Sequence, residues 1–347
     1  MDKRKLIQIF ILLFFLVSFG NTCGKEDSNQ GGSSNGGGGT PEFLFRGINI
    51  GNALEAPNEG DWGVTIKEEY FTLIKNKGFD FVRIPIRWSA HAEVDSPYTI
   101  DSKFFERIDW VIDKARSKRL SVIINMHHYE EIFSNPSLHH SRFLAIWKQI
   151  AERYADYGEF LYFEILNEPH GNLTADLWNQ YLKEAIDTIR QTNPERIIIV
   201  GPVNWNSYAY LNSLSIPEND SNIIVTFHYY DPFQFTHQGA EWVDGSEAWL
   251  GTKWTGTEQE KKAIRDAFDK AKDWAEQHNR KILLGEFGAY RKADMESRVR
   301  WTSFVAREAE ARNMPWAYWE FCSGFGIYDP SENKWRDSLV EALIPLK

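Results

Sequence analysis

Eight short apolar runs, separated by longer amphipathic stretches, set the narrowest limits on how this chain folds. They read Phe43 to Ile50, Phe79 to Ile84, Leu120 to Met126, Leu161 to Leu166, Arg196 to Val200, Ile223 to His228, Lys281 to Gly285 and Pro315 to Trp319. Runs of this length, rich in Ile, Leu, Val and Phe, are strands buried on both faces, and strands that alternate with helices pair in parallel. Eight such repeats predict an α/β protein built as one (β/α)8 TIM barrel over residues 42–347. A doubly wound open sheet competes. It lacks support, because the first strand runs into Gly47-Ile48-Asn49-Ile50-Gly51-Asn52 rather than a Gly-x-Gly-x-x-Gly or phosphate-loop sequence. The clearest helix is Glu258 to His278, with Ala263, Ile264, Ala267, Phe268, Ala271, Trp274 and Ala275 along one face. Thr257 with Glu260 makes a capping box at its start, and Thr65 with Glu68 predicts the same for the first helix.

Two of the apolar runs stop in a carboxylate. Tyr162-Phe163-Glu164-Ile165-Leu166-Asn167-Glu168-Pro169 and Lys281-Ile282-Leu283-Leu284-Gly285-Glu286-Phe287-Gly288 each place a Glu at a strand's C-terminal lip. A charge left inside a strand layer costs several kcal/mol, on the order of the buried-ion penalty, so these two face a polar cleft. A barrel of this kind gathers its strand ends at one rim. The residues that follow the other strands are Asn52 and Glu55, Arg83 and Arg87, His127 and His128, Trp205, His228 and Tyr230, and Trp319. Paired carboxylates among aromatic groups suit glycoside hydrolysis, which needs one acid for the leaving oxygen and a second carboxylate for the anomeric carbon. His127, His128 and His228 also suit zinc, but no His-Glu-x-x-His pattern accompanies them. The expectation is a site with no metal and no cofactor.

The N-terminus reads separately. Lys3-Arg4-Lys5 precedes an apolar run from Leu6 to Phe19, which is short for a bilayer span, so residues 1–22 are expected to be an export signal. Cys23 follows, and a Gly/Ser-rich tract to Pro41 forms a flexible tether over 23–41. That arrangement resembles the acylated cysteine of bacterial lipoproteins and places the chain at the cell surface, at the outer membrane, or outside the cell. Membrane contact is then expected only through this anchor. Cys322 is the other thiol and is expected to be a packed small hydrophobe. The net charge of −10 becomes more negative once the basic leader is removed, which argues against nucleic acid as a partner. A monomer is expected.

Val82-Arg83-Ile84-Pro85, Met126-His127-His128-Tyr129, Leu166-Asn167-Glu168-Pro169, Phe227-His228-Tyr229-Tyr230 and Gly285-Glu286-Phe287-Gly288, in this order, resemble the endoglucanases of glycoside hydrolase family five. The run from Gly47 to Pro57 looks like the branch of broad-specificity endoglucanases and mannanases. The resemblance implies that Glu168 is the acid/base and Glu286 the nucleophile of a retaining endo-β-1,4-glucanase. Arg83 and Tyr230 would then lower the pKa of Glu286, and the charged nucleophile would raise that of Glu168. Asn167 is implied to bond the sugar 2-hydroxyl, and His127, His128 and His228 to line the sugar site. Trp319 is implied as the stacking floor. Asn52, Glu55, Trp205, His237 and Trp242 are further substrate candidates, and the segment from Gln234 to Trp254 a wall of the cleft. An endo-β-1,4-mannanase or xyloglucanase on the same scaffold remains open, as do a non-catalytic glycan-binding lipoprotein and a metal-dependent hydrolase.

Overall fold

The computed structural model of the protein describes residues 45–345. The export signal, the tether, Cys23 and the first residues of the expected first strand lie outside the described residues. The eight expected strands all form, as β1 (Arg46–Asn49), β2 (Phe81–Ile84), β3 (Ser121–Asn125), β4 (Leu161–Glu164), β5 (Ile198–Val200), β6 (Ile223–His228), β7 (Lys281–Glu286) and β8 (Trp316–Tyr318). Each pairs in parallel with its sequence neighbours, and β1 pairs with β8, so the sheet closes into a (β/α)8 barrel.

Alternation along the strands sorts the side chains into two cores. Ile48, Val82, Val122, Phe163 and Leu284 point outward and join the large cluster under the helices. Phe81, Ile123, Tyr162, Ile199, Leu283 and Ala317 form a separate cluster inside the barrel. Gly47 belongs to this inner layer, and a Cβ there would sit 2.2 Å from the Phe81 ring, so the missing side chain on β1 is what lets that ring fill the barrel.

Helix Glu258–Gln277 begins with the expected capping box, with Thr257 and Glu260 satisfying each other's backbone N–H groups. The first helix departs from expectation. It starts at Glu68 after Lys67, with no side-chain cap, so Glu68 occupies the first position instead of the third. Glu59 accepts the Ile66 N–H at 2.8 Å, so the chain before the helix is held by a side chain from the preceding loop. The β5–β6 crossover also differs, since it holds only the helical turns Val203–Asn206 and Tyr208–Ser213 in place of a long helix. Asn204, Trp205 and Asn206 are all left-handed there, with φ of 61°, 58° and 53°, and Pro202 and Pro217 bracket the segment.

Candidate active site

Arg83 is fully buried at the end of β2, and its guanidinium meets an acceptor with every N–H it has. Nε and Nη2 donate to the two oxygens of Glu164 at 2.6 Å each. Nη1 donates to Asn49 Oδ1 at 2.8 Å and to Glu286 Oε1 at 2.7 Å, and Nη2 also donates to Asn167 Oδ1 at 2.8 Å. Five donors thus reach β1, β4, β7 and the loop after β4. Glu164 and Asn49 were not singled out in the sequence. Their signal is parity, since both share the inward set with the inner-layer residues two positions earlier. Asn49 Nδ2 in turn donates to the carbonyls of Gly285, Ala317 and Tyr318 at 3.1, 3.4 and 3.2 Å, tying β1 to β7 and β8.

Glu286 closes β7, and the β6–β7 register shifts at Phe227/His228 so that His228 faces Glu286 directly. Its Oε2 accepts from the Tyr230 hydroxyl at 2.9 Å while Oε1 accepts from Arg83. Both oxygens therefore accept bonds, the capacity of a carboxylate. Burial nonetheless pushes its pKa up, with His228, Arg83 and Tyr230 pulling it back and Glu168 adding to the rise. The expectation of a lowered value is corrected here, because desolvation outweighs the donors.

Glu168 sits across from it, with a φ of 50° that non-glycine residues rarely adopt. Its pKa is pushed up to about 7, chiefly by burial and against the pull of Arg83. Desolvation, rather than the charge of Glu286, is thus the main cause. Glu168 Oε1 lies 2.7 Å from His228 Nδ1. Burial pulls His228 down to about 4, so its ring is neutral at pH 7. Asn206 Nδ2 faces His228 Nε2 at 3.3 Å. With that amide as donor, His228 donates through Nδ1 to Oε1, which leaves Oε2 to carry the proton of Glu168. A ligating atom from each of Glu168, His228 and Glu286 lies within 4.8 Å of the others. An oxygen of Glu168 and one of Glu286 are thus within 4.8 Å of each other, a closeness that suits the short separation of retaining pairs better than the roughly 6.5–9.5 Å of inverting ones.

The same three residues are the one group among the described residues that could hold a cation. His228 Nδ1 is already engaged with Glu168, and each oxygen of Glu286 accepts one bond, from Arg83 or Tyr230, so a cation there would give up the His228–Glu168 contact and share the Glu286 oxygens with those donors. His127 and His128 lie apart from that group as an edge-on pair 4.7 Å from centroid to centroid.

Around the carboxylates the cleft is aromatic. Trp319, half-buried after β8, lies parallel to the His127 ring at 5.7 Å. Asn125 accepts the Ile86 N–H through Oδ1 and donates through Nδ2 to His127 Nδ1 at 3.0 Å, so His127 presents Nε2–H. Gly51 meets the edge of Trp319, and a Cβ there would be 2.9 Å from the indole. His128 stands beside Trp62, which is 41% exposed and was not picked out from the sequence. Trp205 and Trp242 are exposed at the rim, at 53% and 60%.

Three expectations change. Glu55 is enclosed, with its carboxylate accepting from the Asn52 N–H and from the Ala53 N–H at 2.9 Å, so it shapes the β1 loop and the left-handed Asn52 rather than facing the cleft. His237 is buried behind Tyr230, with its ring stacked on Phe233. Of the three Trp in the expected wall, Trp254 is buried against Phe304, Trp249 is half-buried and Trp242 stands open. Glu320, which follows Trp319, is likewise buried and accepts the N–H groups of Cys322, Ser323 and Phe325. Burial pushes Glu55 and Glu320 each up to about 7. Cys322 is buried and its thiol is pushed up, in keeping with a packed hydrophobe.

Comparison with known proteins bears on this cleft. The sequence profile described as Cellulase (glycosyl hydrolase family 5) matches residues 40–324. Endoglucanase H of Acetivibrio thermocellus is 40% identical over 274 residues, which make up 79% of this chain and 29% of that protein. The chain therefore spans less than a third of that relative's length. The structure of Thermotoga maritima Cel5A in complex with cellobiose is 57% identical with a TM-score of 0.86, covering 88% of this chain and 98% of that one. Its complex with mannotriose gives 57% and 0.85, with 87% and 97% covered.

Proposed function

Because the chain belongs to the cellulase family, glycosyl hydrolase family 5, we propose that it is an endo-β-1,4-glucanase that cuts internal linkages of cellulose-type or mixed-linkage glucans with retained anomeric configuration. The observation that carries this is the close facing pair of Glu168 and Glu286, one protonated below about pH 7 and the other held by two donors. Glu286 attacks the anomeric carbon and forms a glycosyl ester, while Oε2 of Glu168 gives its proton to the departing sugar oxygen. Water then enters, Glu168 takes a proton from it, and the ester breaks to restore Glu286. Arg83 and Tyr230 keep the attacking carboxylate oriented. Asn167, whose Oδ1 is committed to Arg83, turns its amide donors the other way, which suits a bond to the sugar 2-hydroxyl. Trp319 offers its face to a pyranose, and Trp205 and Trp242 offer faces farther out.

A second reading has one observation behind it, the likeness to a protein solved with both cellobiose and mannotriose. On that reading β-1,4-mannan chains enter the same cleft. The test is proton NMR of fresh products from barley β-glucan, glucomannan and xyloglucan. β-Anomers formed first support retention, and α-anomers formed first exclude it. Full activity in excess EDTA separates this chemistry from a metal-dependent hydrolase. Export, with a lipid on Cys23, is proposed on the N-terminal sequence alone. Palmitate labelling that disappears in Cys23→Ala tests it.

A further inference from the structure

We propose that His170 is a positioning residue for the proton donor Glu168, and that it links this acid to the exposed platform of Trp205. The inference rests on the acid/base role given to Glu168 above. His170 Nδ1 lies 2.6 Å from the main-chain oxygen of Glu168. A carbonyl oxygen only accepts, so Nδ1 carries the hydrogen and donates it. The residue it grips is the one with a φ of 50°. Such a backbone persists for a non-glycine residue only when its surroundings hold it there.

The surroundings of His170 are themselves fixed on two sides. Its ring lies 4.1 Å from that of Phe133 and 4.8 Å from that of Trp205, in the second case only 15° from parallel. The Trp205 N–H also donates to the Pro169 carbonyl at 3.3 Å. On the other side Asn172 N–H donates to the Phe133 carbonyl at 2.8 Å. A Cβ on the left-handed Gly171 would sit 3.0 Å from the same oxygen. The turn that carries Glu168 is therefore clamped between the short helix Glu130–Ser134 after β3 and the turn Val203–Asn206 after β5. A sugar resting on Trp205 bears on a ring stacked against His170, and His170 holds the backbone from which the acid projects. Proton transfer depends steeply on placement, since a displacement of about 1 Å costs ~100-fold in rate.

Two variants separate the donor from the ring. His170→Phe keeps an aromatic ring for Phe133 and Trp205 but has no N–H. His170→Asn places an amide nitrogen the same number of bonds from the backbone as Nδ1 and loses the ring. Each is assayed for kcat/KM, which reports the first irreversible step, on cellohexaose and on 2,4-dinitrophenyl β-cellobioside, whose leaving group departs without a proton. His170→Phe is expected to lose ~10–100-fold on cellohexaose and less than ~3-fold on the aryl glycoside, with His170→Asn recovering most of the loss. Equal losses on both substrates, or no loss on either, overturn the proposal. So does an Asn variant no better than the Phe variant on cellohexaose. Should His170→Phe fail to fold, His170→Ala is read by the same substrate split. Glu168→Ala is the reference: if it shows no split itself, the acid assignment fails, and if it does while the His170 variants do not, the present inference fails.

Discussion

Phe81 and Arg83 stand two residues apart on β2 and point into the same barrel, yet they belong to different worlds. The lower rung, made of Phe81, Ile123, Tyr162, Ile199, Leu283 and Ala317, is sealed and almost wholly apolar. The rung above it holds Asn49, Arg83, Asn125, Glu164 and Thr226, from β1, β2, β3, β4 and β6, all fully or nearly fully buried and all polar. Burying the lower rung stabilises by roughly 1.5–3 kcal/mol per large side chain. The upper rung is costly to desolvate, and its ion pairs do little more than offset that cost. Within the barrel interior, stability and chemistry are thus separated by one step of the β pleat, with the paid-for polarity on the rung nearer the cleft.

The largest test of this division removes a charge at its edge. Glu286→Ala is expected to lower kcat on barley glucan by on the order of 10⁵-fold while the melt stays cooperative; appreciable turnover with retained configuration would contradict its role. Arg83→Met goes one layer in and leaves Glu164 and Glu286 buried without their partner. It should lose about 3–5 kcal/mol in urea unfolding and nearly all activity, and a fully active variant would show that the upper rung does not act as a unit. Leu283→Ala in the lower rung should cost about 2–5 kcal/mol with kcat within roughly 3-fold below its melting temperature. Should kcat collapse there at intact stability, the two rungs are not separable.

Titration sharpens the comparison further. Glu55, Glu168 and Glu320 are each raised from 4.5 to about 7 in the folded protein, so the native state binds more protons than the unfolded chain between those values. Their contribution is fully present below about pH 4.5 and is lost as pH rises through about 7. Below about pH 6.5 this fall is opposed by His228 and His237, each lowered to about 4, whose contribution grows as pH rises to about 6.5, so urea midpoints are expected to fall between about pH 6.5 and pH 8, with a shallower fall in Glu320→Gln. A midpoint that rises across that window would refute the assignment. The same rise in pH deprotonates Glu168, so kcat/KM should decline with an alkaline limb near 7. The smallest expected effect is at Gly51, where the methyl of Gly51→Ala presses on the Trp319 edge. A loss of about 1–3 kcal/mol and a raised KM with kcat little changed would place that contact in substrate binding, and an unchanged KM would remove it.

Much of the barrel was legible because its signal repeats. Eight apolar runs separated by helix-length amphipathic stretches leave few arrangements, and Glu168 and Glu286 stood out as charges ending two of them. What the sequence hid was direction. Glu55 beside Asn52 reads as a surface carboxylate whether it turns to solvent or to its own backbone, and only the closed loop shows that it turns inward. Thr65 and Glu68 have the spacing of a cap, but the helix begins only at Glu68, after Lys67 and with no side-chain cap. The missing long helix between β5 and β6 follows from three successive left-handed residues, a conformation that local spacing does not advertise. His170 gave no signal at all, because its partner is a main-chain oxygen.

The five-fold satisfaction of Arg83 carries a consequence for biogenesis. Its acceptors come from residues 49, 164, 167 and 286, and Asn49 in turn reaches carbonyls at 285, 317 and 318. No partial translation product contains that set until β8 has emerged and met β1. A polypeptide clipped before β7 would leave the guanidinium without Glu286, and one clipped before β8 would leave Asn49, which accepts from Arg83, without two of the three carbonyls that hold it. Competence to cut a polymer therefore arrives in one step, with the last strand.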